Sequence, residues 1–105
     1  MKKRTVTASA LLVCALAMAT AAAAAEDTDR ARDLAATCAN CHGTSGHAQT
    51  HSGIDPLAGE PKEKIIQRLQ DFRAGRRAAT VMRQIAKGYS DAQIELIAGY
   101  FAAQK

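Results

Sequence analysis

The 105-residue chain has no tryptophan and only four aromatic residues, Phe72, Tyr89, Tyr100 and Phe101. A domain this small cannot fill its interior with rings of its own, and an aliphatic core alone is marginal at this size. Proline is equally scarce, with only Pro56 and Pro61. No stretch alternates apolar and polar residues over the length of a strand and no internal repeat recurs, which leaves helix as the regular element. Three cysteines, Cys14, Cys38 and Cys41, are too few for a disulfide-dense scaffold. A paired acid and base, a nucleophile with a partner and a glycine-rich phosphate loop are all missing, so a stand-alone enzyme has little support.

What is present begins with a leader. Lys2, Lys3 and Arg4 form a positive head, an apolar run follows from Ala8 to Ala19, and Ala23-Ala24-Ala25 offers a small-residue cleavage site before Glu26. This is the pattern of a secretory signal peptide. The run from Ser9 to Ala25 approaches the roughly 20 apolar residues that span a bilayer, but its alanine richness and its A-x-A exit favour cleavage over a permanent anchor. Residues 1–25 are therefore expected to leave, and residues 26–105 to form the mature domain outside the cytoplasm, in the periplasm, with no stable membrane insertion. Cys14 leaves with the leader. Val13 before it does not suit a lipoprotein site, which wants a small residue there.

Removing the leader changes the charge. The whole chain carries 14 basic and 10 acidic residues, a net +4; without Lys2, Lys3 and Arg4 the count is 11 to 10, a net +1. The basic character belongs largely to the leader, and a nucleic-acid partner loses its support.

The chemistry lies in Cys38-Ala39-Asn40-Cys41-His42. C-x-x-C-H is the attachment signature of a c-type haem. Two thiols one helical turn apart can each add to a vinyl group on one haem edge, while the neighbouring imidazole reaches the iron. No further cysteine pair remains for a structural disulfide. One covalently bound haem c would also supply the apolar surface that the missing aromatics do not.

Read in order, Glu26-Asp27-Thr28-Asp29 suits a helix start, and Ala31, Leu34, Ala35 and Cys38 follow at amphipathic spacing. From Gly43 to Gly59 the glycines and Pro56 mark a long loop, of a length that wraps a cofactor. His47 and His51 lie in it and are expected to be plain solvent-facing residues. A second helix is expected from Pro61, burying Ile65, Ile66, Leu69 and Phe72 and stopping at Gly75. A short piece runs from about Ala79 to Lys87, ended by Gly88. Ser90 then starts the last helix, with Gln93 completing a capping box and Ile94, Ile97 and Phe101 facing the core beside Tyr100. The architecture expected is all-α, four to five short helices wrapped around one haem.

With Met1 and Met18 in the leader, Met82 is the single methionine of the mature domain. Given the haem, thioether ligation opposite His42 is favoured over plain packing, because His/Met pairs are usual in electron-carrying cytochromes. Arg68, Arg73, Arg76, Arg77, Arg83 and Lys87 gather around this part of the chain. They read either as a solvated helical face or as a docking rim for an acidic redox partner, with Arg73 and Arg77 as candidates for the haem propionates.

Cys38 to His42, the loop Ile54-Asp55-Pro56-Leu57-Ala58-Gly59, the run Leu69 to Arg76 and Met82 together resemble a small class I cytochrome c of the c4/c553 type. The stretch Thr80 to Ser90, continuing to Ala98-Gly99-Tyr100-Phe101, is similar to the cytochrome subunit of flavocytochrome c sulfide dehydrogenase. The resemblance implies the cytochrome c fold, thioether bonds at Cys38 and Cys41, and axial ligands His42 and Met82. It also implies that the carbonyl of Pro56 accepts the second ring N–H of His42, a contact a ligating imidazole needs. It further implies a close crossing of the first and last helices, with Ala31 or Ala35 near Gly99 and Tyr100. Glu60 departs from the glutamine common in relatives, and one motif stands where many c4-type proteins have two haem domains. The function expected is one-electron transfer in the periplasm, as a carrier or as the electron-accepting subunit of a flavin-dependent sulfide dehydrogenase. The alternatives are a freely diffusing carrier to a terminal oxidase or other reductase, a haem sensor or peroxidase with a displaceable sixth ligand, and a haem-free C-x-x-C redox or zinc domain.

Overall fold

The computed structural model describes the backbone of residues 4–105 and the side chains of residues 10–105. Lys2 and Lys3 of the basic head lie outside the described residues. Five helices and one 3-10 turn follow in order, and no strand occurs among the described residues: α1 (Arg4–Ala36), α2 (Ala39–His42), the turn Thr44–Gly46, α3 (Lys62–Ala74), α4 (Val81–Lys87) and α5 (Asp91–Ala102).

The first helix differs from expectation. It does not start at Glu26 but runs unbroken for 33 residues from Arg4. No glycine precedes Gly43 and no proline precedes Pro56, while Ala21 to Ala25 are five of the strongest helix formers in a row. Thr28, read as part of a cap, instead returns its hydroxyl to the Ala24 carbonyl at 2.9 Å as a mid-helix residue does. Residues 10–30 are exposed along every face, and the segment Ala10–Ala36 is long and apolar enough to cross a bilayer. Burial begins only at Ala31 and Ala35. Two lengths of one helix thus have different roles, and the apolar one contributes nothing to the core.

The core is assembled by α1, α3, α4 and α5. Ile65 and Leu69 come from α3, Ala86 from α4, and Ile94, Ile97, Ala98 and Phe101 from α5, with Ala35 closing from α1. On α5 these positions fall at i, i+3, i+4 and i+7, a single buried stripe. Ser90 caps that helix as expected: its hydroxyl accepts from the Gln93 N–H at 3.2 Å, and the Gln93 side chain accepts the Ser90 N–H at 2.9 Å. Helix α3 starts at Lys62 rather than Pro61, since Pro61 has extended ψ (133°) and stands as the cap. Its stop is Gly75, left-handed at φ 75°, ψ 13°. Helix α4 starts two residues later than expected, at Val81.

The expected crossing of the terminal helices is present, α1 packing on α5 more extensively than any other two helices pack, but the Cβ direction of Gly99 does not point into it. A Cβ at Gly99 would meet the Cε of Lys62 at 4.0 Å and no atom of α1. The small residue that α5 buries completely is instead Ala98, one position along and rotated by about 100°.

The long loop is pinned to the end of α5. The Gly46 carbonyl accepts from Leu57 N–H at 2.9 Å and Ala58 N–H at 3.1 Å, and Gly59 N–H donates to the Phe101 carbonyl at 2.9 Å. Gly46 is buried with φ 81°, and a Cβ there would lie 2.7 Å from Ala58 N and 2.8 Å from Phe101 Cδ1. Gly46→Ala combines a left-handed penalty with overpacking, so a loss of about 2–4 kcal/mol is expected. A denaturant midpoint of the holoprotein within error of the parent would contradict this reading of the loop.

Candidate functional site

The attachment motif is a tight extension of α1. Cys38 N–H donates to the Ala35 carbonyl at 3.0 Å, and Cys41 and His42 N–H both return to the Cys38 carbonyl, at 3.3 and 2.9 Å. Cys38 and His42 are half-buried and Cys41 is exposed. The thiols are unbridged. Burial pushes the Cys38 thiol up from its usual range, with the Thr37 hydroxyl opposing and Cys41 adding to the shift.

His42 Nδ1 lies 2.7 Å from a backbone carbonyl, that of Asp55. A carbonyl only accepts, so Nδ1 carries the proton and Nε2 keeps its lone pair for a metal. This corrects the expectation that Pro56 supplies the acceptor. Pro56 acts one step back: its ring confines Asp55 to extended backbone, while the next two N–H groups turn to Gly46. The Asp55 carboxylate lies 4.0 Å from Arg68, whose guanidinium also stands 3.9 Å from Glu60, and Glu60 pairs with Lys64 at 2.7 Å. The Lys64 contact holds the Glu60 carboxyl below its ordinary range, against some desolvation. Sequence singled out Arg68 only as a member of the basic cluster and did not single out Asp55 as the acceptor; the available signal was the position of Asp55 directly before a proline.

Met82, in the first turn of α4, is half-buried and packs against the same core as Cys38, Leu57, Ile66, Phe72 and Tyr89. Apolar side chains beside it on α4 are left open, Val81 at 60% and Ile85 at 39% exposed, and so is Ile54 of the loop at 40%. His47 and His51 are exposed, as expected. No cluster of three metal-binding side chains occurs among the described residues.

The residues present fit a covalent haem. Two thiols one turn apart, an imidazole with Nε2 available, and a thioether on the edge of the same core form the donor set that such a group requires. The two surface grooves, of about 510 and 680 Å³, lie along α1 and the start of α5 and include none of Cys38, Cys41, His42 or Met82. Backbone turns and core packing, not a concave cleft, group the site.

The basic cluster divides in two. Arg73 donates to Asp91 at 2.6 Å and to the Tyr89 carbonyl at 3.4 Å, Arg76 pairs with Asp71 at 2.8 Å, and Arg68 faces Asp55 and Glu60. Arg77, stacked 5.4 Å over Phe72, and Arg83 and Lys87 on α4 have no carboxylate partner among the described residues.

An all-helical domain built around C-x-x-C-H with an oriented imidazole defines a c-type haem protein. The chain is 34% identical to cytochrome c-554(548) of Halomonas halodenitrificans over 85 residues, 77% of this chain and the whole of that one. It is 44% identical over 72 residues to the cytochrome subunit of sulfide dehydrogenase of Chlorobaculum tepidum, 69% of this chain and 64% of the relative. It is 31% identical over 94 residues to cytochrome c4 of Pseudomonas aeruginosa, 90% of this chain and 46% of the relative. No family model matches the chain. The chain belongs to the small c-type cytochromes, a family of electron-transfer proteins with covalently bound haem c. Its matches span about half to two thirds of the length of the sulfide dehydrogenase and c4 relatives.

Proposed function

We propose that this cytochrome is an exported single-haem carrier whose iron is held between His42 Nε2 and Met82, and whose redox partner is a flavoprotein oxidising reduced sulfur. When bound, the haem supplies a one-electron couple between iron(III) and iron(II). Cys38 and Cys41 fix it to the end of α1 through thioether bonds. His42 presents Nε2 because the Asp55 carbonyl holds the proton on Nδ1. Met82 offers a soft sulfur from the edge of the core, which favours iron(II) relative to a second nitrogen ligand. Keeping both ligands in both oxidation states leaves little to rearrange on electron transfer. The observation that carries the reading is the placement of the single mature methionine on the core edge that also seats Cys38.

Export is supported by the leader. Every described side chain from Ala10 to Arg30 is exposed, including Leu11 at 72% and Leu12 at 75%, so cleavage after Ala25 removes a large apolar surface and no core residue. The mature domain is then residues 26–105, in the periplasm. Mass spectrometry of the protein from its native cells tests this: a mass of the mature chain plus one haem is expected.

Similarity to a sulfide dehydrogenase subunit supports the flavoprotein partner. Arg77, Arg83 and Lys87, lacking carboxylate partners among the described residues, form the docking rim, beside Val81 and Ile85; Arg77 is the stronger propionate candidate because Arg73 is already engaged. Co-purification of a flavoprotein from native membranes and periplasm tests the partner, and a monodisperse monomer speaks for the diffusing carrier. Reversing the rim, Arg77, Arg83 and Lys87 each to Glu, is expected to slow oxidation of the ferrous protein by anionic ferricyanide by roughly ten-fold or more at low salt, with the two rates converging near 1 M salt where the Debye length is about 3 Å. Equal rates at low salt would remove the rim.

A further inference from the structure

Helix α4, which carries Met82, has weak anchorage of its own. It is seven residues long, buries only Ala86, and receives no side-chain cap from Thr80. Seven residues beyond Met82, however, Tyr89 is held from three sides. Its N–H returns to the Ala86 carbonyl at 3.4 Å, its carbonyl accepts from Arg73 Nη1 at 3.4 Å, and its hydroxyl lies 2.8 Å from Thr37 Oγ1. The Thr37 hydroxyl already donates its proton to the Leu34 carbonyl at 2.9 Å. Thr37 Oγ1 can therefore only accept, and the Tyr89 O–H is the donor. Thr37 directly precedes Cys38, so one side-chain hydrogen bond joins residues 52 apart in sequence, tying the joint between α4 and α5 to the segment that bears the haem thiols.

We propose that Tyr89 is a positioning residue: its O–H bond to Thr37 fixes the C-terminal end of α4 relative to Cys38 and so sets how readily Met82 leaves the iron. The inference rests on Met82 being the axial ligand. Detachment of Met82 requires α4 to swing away from the core, and with one buried side chain in that helix the Tyr89 anchor is a large share of what resists the swing. Loss of the hydroxyl raises the population of the Met82-off state by about the worth of one hydrogen bond, roughly five-fold.

The test uses the ferric holoprotein and added imidazole, a ligand that binds iron only when Met82 is displaced. In Tyr89→Phe, which keeps the ring and removes only the hydroxyl, imidazole is expected to bind with a roughly five-fold lower half-saturation concentration. Thr37→Val, which removes the acceptor with little change of shape, should do the same, and the double variant should match either single one, since both delete one bond. In a Met82→Ala background, where imidazole no longer has to displace a side chain carried by α4, Tyr89→Phe should leave its affinity unchanged. A residue that merely stabilises the fold would lower the unfolding midpoint without moving imidazole affinity. If the parent shows the far-red band of Met-ligated ferric haem and Tyr89→Phe binds imidazole as the parent does, the positioning role fails alone. If the parent lacks that band and binds imidazole as tightly as Met82→Ala, the ligand reading itself fails.

Discussion

Met82→Ala is expected to abolish the far-red band of the ferric protein and to lower the reduction potential by on the order of 0.1 V, a modest part of the roughly 0.8 V that axial ligation spans across haem proteins. The thioether is a soft, neutral donor that favours iron(II); without it the sixth position is taken by water or a stronger-field nitrogen, both of which favour iron(III) relative to sulfur. With the leader cleaved as proposed, no other methionine can replace it, because Met1 and Met18 lie within residues 1–25. Met82→His separates ligand identity from damage to the fold: it should keep six-coordinate low-spin haem while still dropping the potential. His47 and His51 are exposed in the loop and are not core residues, so rescue by a native histidine is not expected to restore the parent value. Unchanged spectra and potential in Met82→Ala would assign the chain to the sensors or peroxidases with an open or differently filled sixth site.

Local side-chain patterns were legible in the sequence; backbone acceptors and side-chain pairings across the fold were not. C-x-x-C-H is readable because thioether formation and ligation demand particular side chains at fixed spacing. Ser90 with Gln93 and the stripe Ile94, Ile97 and Phe101 are readable for the same reason: a cap and a buried face are local patterns. The acceptor for His42 was misplaced by one residue because any residue can supply a carbonyl. Only the fold decides that Asp55, held extended by Pro56, presents its oxygen. The unbroken first helix was missed because cleavage reasoning starts the chain at Glu26, whereas five alanines carry helix straight through that point. The partition of the basic cluster depended on tertiary pairing: Asp91 lies 18 residues from Arg73, and no local rule reports that bond. Tyr89 was noted as one of four aromatics, and its tether across 52 residues was invisible for the same reason.

Removing the haem is expected to cost the protein its cooperative fold. In Cys38→Ser/Cys41→Ser, cleaved to residues 26–105, no single thermal transition above about 45 °C, the lower end for ordinary mesophilic domains, should be seen. The core contains nine buried apolar residues, of which four are alanines. The large side chains buried almost completely are Phe101, Ile94, Ile65 and Ile97. Leu34, Leu57, Ile66, Phe72, Met82, Tyr89 and Tyr100 reach that core but remain half-buried, and Val81, Ile85 and Ile54 are open. These are side chains whose burial a covalent porphyrin would complete. Each Leu, Ile or Phe fully withdrawn from water is worth about 1.5–3 kcal/mol, so completing the burial of several that are now only half-covered is comparable with the 5–15 kcal/mol by which an ordinary domain is stable. The loop from Gly43 to Gly59 sharpens the expectation, because its ties to the helices are a few backbone bonds around Gly46 and Gly59, and His42 holds Asp55 against an iron-directed geometry only while the imidazole itself is held. The apo variant should therefore keep some helix by far-UV circular dichroism while losing near-UV signal from Tyr89 and Tyr100, and its amides in α3 and α5 should exchange freely. A cooperative transition near that of the holoprotein would mean that the aliphatic core of α3 and α5 suffices and that the haem is a passenger in the fold.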